Sequence, residues 1–151
     1  MRMVAALLLL LPIWVQAESA KDVCDTAKKY AASIQNQLPM NVDAATRWTG
    51  MSAVYSDSTC LINHTNVLDM ASLAQEILHV ERQRGSQVNI ADVRNYISSP
   101  SYRDFLVDIS KDANLRKSSR ILAVPNVVVT TDYFPTALIE PFSITLTQDD
   151  L

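Results

Sequence analysis

The residues able to do chemistry in this chain are few: two histidines, two cysteines and 16 carboxylates. Glu76 and His79 stand three apart, a spacing that puts both on one helix face, as in carboxylate-bridged di-metal centres. Such centres need a second Glu-x-x-His and further carboxylates. The other histidine is His64, which has no such partner, so the ligand set is incomplete and no metal is expected. His64 with Asp69 and Ser56, Ser58 or Ser72 would supply the base, orienter and nucleophile of a hydrolytic triad. No Gly-x-Ser-x-Gly turn accompanies them, so His64 is read as a strand histidine at the rim of a sheet, and no catalytic residue is assigned. Gly50 and Gly85 are the only glycines, too few for a phosphate-cradling loop, and no cofactor is expected.

Other patterns carry less. Asn63-His64-Thr65 fits the N-glycosylation sequon, and Gln148-Asp149-Asp150-Leu151 departs at two positions from an ER-retention tail. Asp104, Asp108 and Asp112 repeat along one helix face rather than across a cleft, which is exposed surface and not a glycosidase pair. Arg116, Lys117 and Arg120 form a basic cluster in a stretch, residues 114–120, that reads as a solvated connector. With 13 basic against 16 acidic side chains and a formal charge of −3, there is no electrostatic footprint for nucleic acid.

The elements that would position these groups follow an amino-terminal leader. Arg2, the uninterrupted apolar run 4–14 and Val15-Gln16-Ala17 make the three-part pattern of a secretory signal peptide, with cleavage expected before Glu18. The run is shorter than the roughly 20 apolar residues that cross a bilayer, so no stable membrane anchor is expected. Lys21-Asp22-Val23 before Cys24 lacks the small apolar residues of a lipidation site. Export decides the reading of the cysteines. An isolated pair in an oxidising compartment most economically forms one disulfide, Cys24–Cys60, closing a loop of about 37 residues and contributing about 3–4 kcal/mol on the chain-entropy model.

Residues 18–151 are expected to form a single α+β domain. An amphipathic helix over 22–38 ends at Pro39, and 39–43 is a connector. Two strands, 47–55 and 59–67, flank the turn residues Ser56-Asp57-Ser58. Asp69 caps a helix whose apolar stripe is Met70, Leu73, Ile77 and Val80, with Leu78 alongside, and Gly85 ends it. Asn89 with Asp92 opens a short helix, and Ser99-Pro100 opens another carrying Tyr102, Phe105, Leu106 and Ile109. Strands over 126–134 and 138–147 close the chain, with Pro141 bending or blunting the second at an edge. The order helix–hairpin–helices–hairpin predicts an antiparallel sheet of about four strands with helices on one face.

The run Asn36-Gln37-Leu38-Pro39-Met40-Asn41-Val42-Asp43-Ala44-Ala45-Thr46-Arg47 resembles a segment of small exported bacterial proteins of unknown function. The resemblance implies a bacterial, periplasmic setting and brings no catalytic residues.

The function expected is that of a soluble exported protein, a non-enzymatic protein-binding or accessory module of the cell envelope or a secretion assembly. The alternatives are an immunity protein or inhibitor of a toxin or hydrolase, and an enzyme using His64 or His79. The partner is expected to be another envelope or secreted protein, taken at the edge of the last strand, with Phe134 and Phe142 as apolar contacts and Arg116, Lys117 and Arg120 steering it.

Overall fold

The structure, a computed structural model, describes residues 18–151; the leader expected over 1–17 lies outside the described residues. Helix α1 spans Ala20–Ile34, starting earlier than its apolar periodicity suggests. The reason is a capping box: the Ser19 hydroxyl accepts from the Asp22 N–H at 3.2 Å, and the Asp22 carboxylate accepts from the Ser19 N–H at 3.2 Å. A 3-10 turn, Gln35–Gln37, carries the chain out of the helix. Strand β1, Met40–Asn41, falls in the expected connector, and it exists only by pairing with Trp48 and Arg47. Strands β2 (Thr46–Ser56) and β3 (Thr59–Leu68) form the expected hairpin.

Helix α2 (Met70–Gln83) begins at Asp69, whose carboxylate accepts from the Ala71 and Ser72 N–H groups, both at 3.1 Å. It buries Met70, Ala74 and Leu78, with Leu73 and Ile77 partly buried against the same core. Gly85 follows at φ +84°. Helix α3 (Ile90–Ile97) carries the Asn89–Asp92 capping box, and Ser99 caps α4 with Pro100 at its first position. Helix α4 runs through Pro100–Leu122. It therefore absorbs 114–120, which is not a connector: Ser118 and Leu122 are buried on its inner side, and Arg116, Lys117 and Arg120 stand exposed on a continuous helix.

Strands β4 (Val127–Pro135) and β5 (Phe142–Leu146) complete a five-stranded sheet in the order β1-β2-β3-β4-β5. Pro141 lies just ahead of β5 rather than within it. The expectation of four antiparallel strands needs correcting in one respect above all, because β3 and β4 are parallel neighbours from Cys60↔Val127 to Leu68↔Pro135. After β3 the chain travels through three helices and re-enters the sheet at its starting end, the crossover that parallel pairing requires. The fold is thus α+β with a mixed sheet.

Helix α1 lies over β2 and β3, and α4 over β4 and β5, both on the same sheet face. That inner face buries Cys60, Ile62, Val127, Val129, Ile144 and Leu146, while Leu61, Ser143 and Thr145 face outward. Among the described residues no helix is long and apolar enough to cross a membrane. Leu122 is fully buried, whereas Phe105 on the same helix is 51% exposed. Leu122→Ala should cost about 2–5 kcal/mol in urea unfolding and Phe105→Ala less than about 1 kcal/mol. Equal losses would contradict the inward face assigned to α4.

Candidate functional site

The parallel pairing sets four polar side chains side by side on the inner face. His64 is in register with Thr131, and Asn66 with Tyr133, so the four form a square patch at mid-sheet. Sheet interiors of this kind normally carry Val, Ile and Leu. Above the patch, between α1 and α4, lies a cleft of about 1020 Å³, at the upper end of the roughly 300–1,000 Å³ range of small-molecule sites.

Helix α4 turns polar where it meets this patch. Asn114 donates to the Ser110 carbonyl and to the Tyr133 hydroxyl, both at 2.9 Å, and its amide oxygen accepts from Thr131 Oγ1 at 3.3 Å. The Asn114 amide is thereby fully used in holding Thr131 and Tyr133. The Tyr133 ring is fixed further by stacking on Phe142, with centroids 4.8 Å apart. Its hydroxyl accepts from Asn114, leaving its own proton without an acceptor among the described residues.

The opposite wall is aromatic. Between Trp48 and Gly50 the pairing of β2 with β3 shifts by one residue, and this bulge puts Trp48 opposite Asn66 on the inner face. The indole N–H donates to the Gly50 carbonyl at 2.7 Å, which holds the ring there. Trp48 stacks with Tyr30 of α1 at 6.3 Å and lies against His64 at 5.6 Å. The sequence gives one faint sign of this, a glycine inside a strand pattern.

His64 is therefore not at the rim of the sheet; it sits on the third of five strands and lines the cleft. Burial, and then the charge of Lys117, lower its pKa from the ordinary value of 6.5. Asn66 is only 9% exposed and lines the same cleft, with no hydrogen bond from its amide among the described residues. Toward the ends of β3 and β4 the lining becomes apolar, with Leu68, Leu73, Tyr102 and Leu106. Asp43, at that end, spends its carboxylate on the Ala45 and Thr46 N–H groups, at 2.8 and 2.7 Å.

The residues singled out from sequence are mostly kept apart. His79 is exposed and pairs with Gln83 at 2.9 Å rather than with Glu76. Asp69 serves the start of α2 and Ser72, and no hydrogen bond joins it to His64. Among the described residues no three His, Cys, Asp or Glu side chains gather as a metal site. Phe134 is 46% exposed on the outer face, but Phe142 is 7% exposed on the inner one, so the two do not share a docking surface. Of Arg116, Lys117 and Arg120 only Lys117 lines the cleft.

Cys24 and Cys60 are both fully buried, as thiols, between α1 and β3. Burial, and then the neighbouring Cys24, push the Cys60 thiol up to about 12.

No family model matches the chain, and no curated protein matches it. Among solved structures it is similar to a "putative secreted protein" from Pseudomonas aeruginosa at 10% identity and a TM-score of 0.38, over 86% of this chain and 93% of that one.

The lowered His64 pKa has a definite sign. The folded state favours the neutral ring, so the unfolded chain binds the proton first as pH falls. The contribution of His64 is complete above pH 6.5 and is lost as pH drops below that value toward the folded pKa. Asp22, Asp69 and Asp150, held below the ordinary carboxylate value by hydrogen bonds, lose theirs only below about pH 4. Urea midpoints should therefore fall between pH 6.5 and 5 in the unsubstituted chain and stay level in His64→Gln. Parallel profiles for the two would show that His64 is not desolvated.

Proposed function

We propose that this chain is a non-enzymatic binding module acting outside the cytoplasm, and that the inner-face cleft is where it binds. The observation that supports this most is the lining itself. A polar patch with the unpartnered Asn66 lies at mid-sheet, where packing alone would place aliphatic side chains, and it opens into a cavity of ligand size. The Asn66 amide faces the cleft without a hydrogen bond among the described residues, so it is free to meet a ligand. His64 is joined to neither an acid nor a nucleophile, so it fits a contact role better than a general base.

Binding is tested with an uncharged apolar fluorophore, Nile red. The unsubstituted chain should enhance its emission saturably. Ala113→Trp, which places an indole on the α4 wall, should abolish the enhancement with the circular dichroism unchanged. Equal emission from both chains, or none from either, would overturn the reading.

The cysteines suit an exported setting, and a Cys24–Cys60 bridge belongs to the same proposal. Its formation sends two protons and two electrons from the thiols to an external disulfide oxidant. Non-reducing peptide maps of exported material should link the two peptides, and reduction should lower stability by about 2–4 kcal/mol. Two alkylatable thiols in freshly unfolded exported protein would exclude the bridge.

A further inference from the structure

The polar end of the cleft holds a cation and donors that lack partners. Lys117 forms no ion pair among the described residues, whose salt bridges use other cations. It lies one helical turn beyond Asn114 and lines the cleft together with His64. Asn66 has an unpartnered amide, and the Tyr133 hydroxyl, already accepting from Asn114, has its proton to give. A neutral imidazole adds one N–H and one acceptor nitrogen. The other end is mostly apolar, with Leu68, Leu73, Tyr102 and Leu106, and the Asp43 and Glu76 carboxylates also belong to the cleft lining. A cation and unpartnered donors at one end and mostly hydrocarbon at the other describe a complementary molecule: an anionic, hydrogen-bond-accepting head on an apolar body.

Resting on the cleft being the binding site, we propose that its ligand is a single-chain apolar carboxylate, with the carboxylate at Lys117, Asn66 and Tyr133 and the chain running toward Leu68 and Leu106. Lys117 supplies the charge, and Asn114 acts as a positioning residue by aiming the Tyr133 hydroxyl. A carboxylate accepts several hydrogen bonds and carries the charge opposite to that of Lys117.

Trp48 reports occupancy directly. The chain has two tryptophans, so the full chain carrying Trp14→Phe has Trp48 as its sole indole, on the cleft wall. Dodecanoate and dodecan-1-ol, each below its self-association concentration, are titrated against Trp48 emission. Dodecanoate should bind at least about tenfold more tightly than the alcohol, the difference expected of one charge-assisted hydrogen bond. Lys117→Met should remove that preference and leave the alcohol unaffected. Tyr133→Phe should weaken dodecanoate several-fold. Arg116→Met makes the same charge change on the same helix outside the cleft and should alter nothing. Equal binding of acid and alcohol, or an equal loss in Lys117→Met and Arg116→Met, overturns the carboxylate while leaving the cleft a binding site. If neither probe binds although Nile red does, the single-chain ligand is wrong; if Nile red also fails, the cleft reading falls with it.

Discussion

The parallel pairing of β3 with β4 is the constraint on which the rest of the molecule depends. A parallel neighbour cannot be reached by a tight turn, so the chain between Leu68 and Val127 must cross back over the sheet. Helices α2, α3 and α4 occupy that crossing, and α1 joins α4 on the same face. The other face is not covered by helices and mixes polar side chains with exposed apolar ones such as Leu61 and Phe134. There Asn63 donates to Asp132 at 3.0 Å, and Ser143 donates to the other oxygen of the same carboxylate, tying three strands together. The pairing also sets His64 beside Thr131 and Asn66 beside Tyr133. One topological fact thus makes both the fold and the site.

Two helix–hairpin units meet at this seam, and each has its own packing. Helix α1 closes on β2 and β3 around Cys24 and Cys60; α4 closes on β4 and β5 around Leu122 and Leu146. Between them the two helices stand apart, and the sheet beneath is polar instead of aliphatic. The Asn114 amide makes this tolerable. It accepts from Thr131 and donates to Tyr133 from above, which offsets part of the cost of burying the polar residues of β4. Nothing equivalent serves His64 and Asn66 on β3. Their surroundings are the aromatic Trp48 and the cleft itself.

Local signals were legible where local chemistry decides the structure. The caps at Asp69, Asn89 and Ser99 and the alternation of Phe142, Ile144 and Leu146 place real helices and a real half-buried strand. The misreadings share one cause, which is dependence on distant partners. Strand β1 consists of two residues with nothing strand-like about them until Trp48 and Arg47 lie alongside. The parallel pairing joins segments about 67 residues apart, and no pattern within either one encodes its direction. The inward face of α4 loses its apolar periodicity after Ile109 because it looks onto Thr131 and Tyr133. From sequence, that loss was mistaken for the end of the helix. The cleft was missed for the same reason, since its floor is defined by register and its aromatic wall by a bulge.

The break in α4 periodicity and the site are therefore one feature seen twice. A helix that continued the Tyr102–Leu106 stripe through positions 110, 113, 114 and 117 would have filled the seam with hydrocarbon and closed it. Ser110, Ala113, Asn114 and Lys117 do the opposite: two are small, one satisfies the sheet beneath, and one stands as a cation over the gap. Lys117 holds its charge at the mouth of the seam without an ion pair among the described residues. Local consistency is given up along three turns of one helix, and it is given up only on the side that faces the cleft, which is where a binding function would require it.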